Sequence, residues 1–172
     1  MKKKGFTTNE KKKRKRLTLE GTSSKWQSSA ELPMEFAVKL GAAKERAITV
    51  DSSQTTSFLW EGENVLSTPS MISEMEETCR LLLKEQAIPD SEWDSVGTVV
   101  DIRHLAATPV GATVSFKAKV ASVDGRRVMF DVEARDRVEK IGEGRHERFV
   151  INVPRFRAKF EEKQQALRSN NV

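Results

Sequence analysis

Between residues 68 and 86 the hydrophobic positions recur every three or four residues, which is the spacing of an amphipathic helix. Thr68 is a good N-cap and Pro69 a good first helical residue. Ile88-Pro89-Asp90 ends the pattern, because proline disfavours helical backbone at the residue before it. The sequence therefore predicts one helix over residues 69–86, with a buried stripe made of Met71, Ile72, Met75, Cys79, Leu82 and Leu83.

Alternation of apolar and polar residues, which is typical of half-buried strands, occurs on both sides of this helix. Residues 46–51 form the first predicted strand, and residues 52–67 are an irregular connection to the helix. A short terminal helix is predicted over residues 154–165. Four more strands are predicted between the two helices, over residues 98–107, over stretches marked by Val114 to Val120 and by Val128 to Ala134, and over residues 141–153.

Glycines mark the turns of this strand-rich region. Asp124-Gly125 predicts a two-residue hairpin, and Gly142 and Gly144 predict a bulge or a close backbone approach in the last strand. The order of strand, long helix and antiparallel meander belongs to the α+β class. It predicts the hotdog fold, in which one long central helix packs on a curved antiparallel sheet. Because one helix covers only part of such a sheet, we expect dimerisation to bury the rest.

Positive charge is concentrated at the start of the chain. Residues 1–17 contain nine Lys or Arg and one Glu, so they carry +8, whereas the whole chain carries +5 and the remainder −3. We therefore predict a disordered basic extension over residues 1–33, a hotdog domain over residues 34–165 and a flexible C-terminal tail over residues 166–172. The extension could bind nucleic acid or an anionic membrane, but we favour a solvated tail or a misassigned start site.

Several classes of protein are excluded by missing patterns. No apolar run approaches the roughly 20 residues that span a bilayer, and no apolar stretch follows the basic start as in a signal peptide. The lone Cys79 excludes an intramolecular disulfide, which favours a reducing, cytoplasmic location. The nucleophile elbow, the phosphate-binding loop and the dinucleotide-binding glycine motif are all missing. Two dispersed histidines and one cysteine make a zinc site improbable, so we expect no metal.

A hydroxyl, a carboxylate and an imidazole form a plausible hydrolytic set. Glu76 lies at the border of the apolar stripe, where partial desolvation makes a carboxylate a better base, whereas Glu74 and Glu77 point well away from the stripe. Each residue also has a structural explanation. Glu76 could reach solvent, His104 could be a satisfied core histidine, and Thr68 could serve only as a cap. His146 gives no independent signal.

The chain resembles the fluoroacetyl-CoA thioesterase-like branch of the hotdog thioesterases over roughly residues 46–160. The resemblance is carried, in order and with compatible spacing, by Thr68-Pro69-Ser70-Met71, Glu76-Glu77-Thr78-Cys79, Gly97-Thr98, His104-Leu105-Ala106-Ala107-Thr108-Pro109-Val110-Gly111 and His146-Glu147-Arg148.

This resemblance implies catalytic roles for Thr68, Glu76 and His104. It also implies that Gly97 lines the site through its backbone and that Arg148 lies near it. One departure concerns the connection over residues 52–67, which is short and lacks the Phe-rich lid expected for the fluorinated substrate. The resemblance therefore implies thioester hydrolysis without specifying fluoroacetyl-CoA.

The chemistry needs neither a metal nor a separate cofactor, since coenzyme A is part of the substrate. A thiol leaving group has a pKa of about 8.5, so a thiolate departs with little protonation. Backbone N–H groups at the helix start, over Pro69, Ser70 and Met71, are expected to bind the thioester carbonyl. Glu76 could activate water or attack directly, and His104 could orient the reacting groups or donate a proton.

The sequence thus predicts an acyl-CoA thioesterase that forms a homodimer or a higher homo-oligomer, with its site at the subunit interface. An alternative from another class is a non-catalytic acyl-CoA-binding or sensor module tethered by its basic tail. A hotdog dehydratase is a third possibility, but the position of His104 and the motif around it suit that activity less well.

Overall fold

One long helix lies against a five-stranded antiparallel sheet, as the sequence predicts. The computed structural model describes residues 36–59, 61, 64–88 and 91–169, so the predictions for residues 1–33 lie outside the described residues. The elements, in chain order, are β1 (Ala43–Thr49), a 3-10 turn (Ser52–Gln54), α1 (Thr68–Gln86), β2 (Trp93–His104), β3 (Thr113–Asp124), β4 (Arg127–Arg135), β5 (Lys140–Asn152) and α2 (Val153–Ser169).

The sheet has the strand order β1-β3-β4-β5-β2, and every neighbouring pair is antiparallel. The predicted hairpin joins β3 to β4, but Asp124 pairs with Arg127, so its two loop residues are Gly125 and Arg126 rather than Asp124 and Gly125. Gly125 has a positive φ of 53°, which suits glycine in such a turn. Strand β2 lies at an edge of the sheet.

The core lies between α1 and the face of the sheet beneath it. Five of the six predicted stripe residues are buried, whereas Ile72 lies at the margin and Thr78 is buried in its place. The sheet contributes Val114, Phe116, Val128, Phe130 and Ile141, among others.

Glycines in β5 allow close packing on both of its sides. A Cβ atom on Gly142 would lie 2.6 Å from the Sδ of Met71, and one on Gly144 would lie 2.1 Å from the carbonyl oxygen of Asp101. The close approach predicted at these glycines is therefore confirmed. The register irregularity of this strand pair, however, lies in β2, between Gly97 and Val99.

Several element boundaries differ from the predicted ones. Strand β2 begins at Trp93 rather than at residue 98, because Trp93 and Ser95 are buried and continue the ladder with β5. Helix α2 continues through Ser169, so residues 166–169 of the predicted tail are helical. Gln164, Gln165, Ala166, Leu167 and Arg168 are good helix formers, and no Gly or Pro interrupts the helix before Ser169. No described residue of α2 is buried.

No helix in the described part of the chain is long and apolar enough to cross a membrane. Within the same residues, no three His, Cys, Asp or Glu side chains cluster closely enough to hold a metal ion.

Candidate active site

The N-terminus of α1 presents the hydroxyl of Thr68 to the ring of His104. Ser67, not Thr68, is the N-cap, since its Oγ accepts a hydrogen bond from the N–H of Ser70. Thr68 is therefore the first residue of the helix, and the capping role predicted for it is wrong. Its Oγ1 lies 2.9 Å from the Nδ1 of His104, at the end of β2.

The other ring nitrogen of His104 is also informative. Its Nε2 is buried and has no hydrogen-bond partner within the described residues. Most buried polar atoms of folded proteins are paired, so this nitrogen requires an explanation, and a catalytic role is one. A hydroxyl bonded to one nitrogen of an imidazole is the contact expected of a nucleophile or an orienting group beside a base.

The backbone donors expected at the helix start already have partners. The N–H of Ser70 bonds to the Oγ of Ser67 at 3.2 Å, and the N–H of Met71 bonds to the carbonyl of Ser67 at 3.0 Å. Pro69 has no N–H, and the side chain of Met71 is fully buried in the core. These three residues therefore offer no free backbone donor to a thioester, contrary to the prediction.

Glu76 lies on α1 at the border of the buried stripe, as predicted, with 35% of its side chain exposed. Its Oε1 is 3.3 Å from the Nε2 of His146 and 3.9 Å from a guanidinium nitrogen of Arg148. Glu74 pairs instead with Arg46 from β1 and accepts a hydrogen bond from Gln54.

His146 is the functional candidate that the sequence did not reveal. It is fully buried on β5, and its Nδ1 lies 2.9 Å from the carbonyl oxygen of Val99. Burial lowers the pKa of His146, Glu76 raises it and Arg148 lowers it further. The sequence did contain a signal. His146 and Arg148 are two positions apart on one strand, so both side chains lie on the same side of the sheet.

Arg148 holds this cluster together from inside the protein. Its side chain is buried, and it donates to the Oγ and the carbonyl oxygen of Ser95 at 2.8 and 2.6 Å. It also donates to the carbonyl oxygen of Glu76 at 3.3 Å. Burial lowers the pKa of Arg148, and its neighbours Cys79, Glu76 and Asp94 oppose this shift.

Gly97 on β2 provides the space that the Glu76 carboxylate occupies. A Cβ atom at this position would lie 2.3 Å from the Oε1 of Glu76 and 3.0 Å from the Cε1 of His146. The register of β2 against β5 shifts between Gly97 and Val99, which interrupts the regular backbone pairing here.

An open cleft of about 520 Å³ lies over this cluster, and its lining residues are Ser73, Glu74, Glu76, Glu77, Ser95, Val96, Gly97 and Arg148. A groove of about 580 Å³ elsewhere on the sheet is lined by charges of both signs. Ion pairs such as Arg145 with Asp131 partly neutralise those charges, and none of the predicted site residues lines the groove.

Cys79 is unsuited to the role of a thiol nucleophile, although it lies close to the positive charge of Arg148. It is buried, and burial raises the pKa of its thiol to about 12. The reactive form of cysteine is the thiolate, which is scarcely populated at neutral pH with such a pKa.

The predicted catalytic residues fall into two groups along the chain. Thr68 and His104 are in contact, but Glu76 lies eight residues further along α1, which corresponds to about 12 Å of helix. Among the described residues, no hydrogen bond or ion pair joins Glu76 to Thr68 or His104. The hydroxyl–imidazole pair and the carboxylate are therefore two separate groups of this chain, which we call half-sites.

Comparison with known proteins identifies relatives of this chain. The family described as fluoroacetyl-CoA-specific thioesterase matches residues 50–154. The fluoroacetyl-CoA thioesterase of Streptantibioticus cattleyicolor is 40% identical over 106 residues, which cover 62% of this chain and 75% of that protein.

Solved structures agree with these matches. A structure of a fluoroacetyl-CoA thioesterase superposes with a TM-score of 0.68 at 32% identity, covering 74% of this chain and 98% of the other. A Thermus thermophilus member of the thioesterase superfamily superposes with a TM-score of 0.69 at 24% identity, covering 77% of this chain and 98% of its own, which supports the hotdog fold alone.

Proposed function

The chain belongs to the fluoroacetyl-CoA-specific thioesterase family, and we propose that it hydrolyses the thioester bond of an acyl-CoA to a free acid and coenzyme A. One observation carries the catalytic proposal beyond the family match. The carboxylate of Glu76 lies against Gly97 with an imidazole and a guanidinium behind it. Such an arrangement is costly in a protein that only binds its ligand, because it buries charged and polar groups beside a cleft.

The proposed enzyme is a homodimer in which each site takes residues from both subunits. Thr68 and Glu76 of one chain are separated by about 12 Å of helix. In a dimer, Glu76 of one subunit can instead lie beside Thr68 of the other. Strand β2 is the edge that suits this pairing. Its Val99 and Val100 are 45% and 48% exposed, and an exposed apolar edge strand is a ready template for another strand.

Antiparallel pairing of two β2 strands would bring the half-sites together. With a two-fold axis at Val100, Gly97 of one subunit lies opposite Arg103 of the other, one residue from His104. Because Glu76 contacts the position of Gly97, the carboxylate of one subunit then approaches the Thr68–His104 pair of the other. A two-fold axis generates two such sites in each dimer.

The reaction follows from this arrangement. Glu76 removes a proton from water, whose oxygen bonds to the thioester carbonyl carbon to give a tetrahedral oxyanion. The interrupted backbone around Gly97 and Thr98 donates to that oxyanion, in place of the helix start. The carbon–sulfur bond then breaks, and the proton that Glu76 removed from water passes through His104, held by the Thr68 hydroxyl, to the departing sulfur, which restores both side chains.

We propose that residues 34–165 form one domain. We also propose a cytoplasmic location, and the supporting observation is that the chain has a single cysteine, which is buried. No cofactor beyond the coenzyme A of the substrate takes part in the proposed steps.

The test is thiol release from a panel of acyl-CoA esters, including acetyl, longer-chain and fluoroacetyl esters. Wild type should hydrolyse at least one ester, and Glu76→Gln should lower kcat by about a hundredfold or more. Glu85→Gln is the matched control on the same helix, since Glu85 is exposed and pairs with Lys44. Wild type that binds these esters without turnover would establish the acyl-CoA sensor instead.

A further inference from the structure

A chain of hydrogen bonds begins and ends on β2, on either side of the irregularity between Gly97 and Val99. At one end, the Oγ and the carbonyl oxygen of Ser95 accept from the guanidinium of Arg148 at 2.8 and 2.6 Å. At the other end, the Nδ1 of His146 lies 2.9 Å from the carbonyl oxygen of Val99. A guanidinium nitrogen of Arg148 lies 3.3 Å from the Nε2 of His146. These two side chains of β5 therefore connect the two ends of the irregularity.

The direction of each hydrogen bond determines the state of the imidazole. A carbonyl oxygen only accepts, so the hydrogen of the ring is on Nδ1 and points to Val99. A guanidinium only donates, so the Nε2 of His146 accepts from Arg148. Both ring nitrogens are then paired in a neutral imidazole. Burial lowers the pKa of His146 below its ordinary 6.5, which keeps the ring in this form at neutral pH.

The backbone between the two ends lacks the regular support of the sheet. Gly97 is opposite Arg148 and Val99 is opposite Glu147, so Thr98 has no partner in the pairing of β2 with β5. The hydroxyl of Thr98 donates instead to the carbonyl oxygen of Glu147 at 3.2 Å. An irregularity of this kind disrupts the ladder locally, and the polar groups that it releases need other partners. Side chains of β5 provide those partners.

We infer that His146 is a positioning residue, which acts through the carbonyl of Val99 to hold the backbone of Gly97 and Thr98. Arg148 completes this brace, because it connects the ring to the preceding part of β2. The kinetic part of the inference rests on the proposed function, in which this backbone donates to the oxyanion. The hydrogen-bonded chain itself does not depend on turnover. A braced backbone has its donors in place before the reaction begins, so they stabilise the oxyanion without reorganising.

Two amide variants separate the contact with Val99 from the contact with Arg148. The side-chain nitrogen of asparagine takes about the place of Nδ1, so His146→Asn can still donate to the carbonyl of Val99. The longer amide of His146→Gln extends to the place of Nε2, where it can accept from Arg148 but leaves the Val99 carbonyl without its donor. His146→Asn should keep kcat within a few-fold of wild type. His146→Gln should lower kcat about tenfold to a hundredfold with little change in KM.

NMR of the folded protein tests the hydrogen-bonded chain without a substrate. In nitrogen-15 spectra of the ring, the hydrogen of His146 should be on Nδ1 at pH 7. The N–H of Val100 belongs to the same peptide group as the carbonyl of Val99, so its signal reports the hydrogen bond to the ring. That signal should move in His146→Gln and stay near its wild-type position in His146→Asn. A hydrogen on Nε2 at pH 7 would overturn the inference.

A substitution in the core away from β2 is the control for lost stability. Ile88 is fully buried after the end of α1, so Ile88→Val should lower Tm without changing kcat or the Val100 signal. Equal kcat values for His146→Gln and His146→Asn would contradict the positioning role even where wild type hydrolyses acyl-CoA. Absence of hydrolysis in wild type would instead refute the proposed function, and the position of the ring hydrogen would still decide whether the brace exists.

Discussion

Gly97→Ala should lower catalysis much more than it lowers stability. The added Cβ would lie 2.3 Å from the Oε1 of Glu76, whereas ordinary contact begins at about 3.4 Å. The carboxylate must therefore retreat by about 1 Å. Because Glu76 is a flexible, partly exposed side chain, it can do so at little cost to the fold.

The catalytic cost of that retreat should be large. A displacement of about 1 Å in a reacting group can lower a rate by about a hundredfold. The same Cβ would lie 3.0 Å from the Cε1 of buried His146, which must shift by a few tenths of an ångström. We expect a loss of about 1 kcal/mol of stability from this second contact, at the low end for overpacking.

The assay is kcat for acyl-CoA hydrolysis together with thermal unfolding of the same preparation. Ile88→Val is the matched control, because Ile88 is fully buried in the core after the end of α1, twelve residues beyond Glu76. It should cost about 0.5–1.5 kcal/mol of stability and leave kcat of the folded protein unchanged. Wild-type kcat in Gly97→Ala would refute the placement of Glu76 in the site.

Three further predictions test separate parts of the structure. Ser67→Ala should cost about 1 kcal/mol of stability in chemical denaturation, because Ser67 is the N-cap of α1. Thr68→Val should lower kcat with a smaller loss of stability, because Thr68 contacts His104. The opposite pattern would identify Thr68 as the N-cap. Cys79 should react with a thiol reagent at pH 8 only at the rate of unfolding, because burial raises its pKa to about 12; rapid labelling of the native protein would contradict this burial. Hydrogen bonds from Lys140 and Arg135 lower the pKa of Glu133 below its ordinary 4.5, so its stabilising effect should be complete above that pH and disappear as pH falls through the folded-state pKa. The Tm difference between wild type and Glu133→Gln should therefore shrink on acidification, and a constant difference would show that the ion pairs do not stabilise the fold.

The sequence was sufficient to predict the fold because the spacing of apolar residues agreed with the positions of the residues that end helices and form turns. The apolar stripe of α1 and the alternating apolar residues of β3 and β4 mark the faces that are buried. In the hotdog fold these faces pack against each other. Boundaries were less accurate. Trp93 and Ser95 extend β2 through long-range pairing with β5, which leaves no local pattern in the sequence.

The site was only partly predictable, for a related reason. Glu76 and Gly97 followed from a border position and from a family resemblance, but their contact depends on how β2 meets α1. His146 was overlooked because its alternation with Arg148 shows only that both side chains share one face of β5, and not that Glu76 of α1 lies against them. The cap at Ser67 was missed because Ser and Thr are both favourable there, and only backbone geometry distinguishes them.

The central claim is that Glu76 of one subunit and the Thr68–His104 pair of the other hydrolyse one thioester. Purified heterodimers of a Glu76→Gln subunit and a His104→Ala subunit test it directly by thiol release from acyl-CoA. Each homodimer should be nearly inactive, and the heterodimer should regain about half of wild-type activity, because one of its two sites has both residues intact. A heterodimer as inactive as its parents would contradict the shared site.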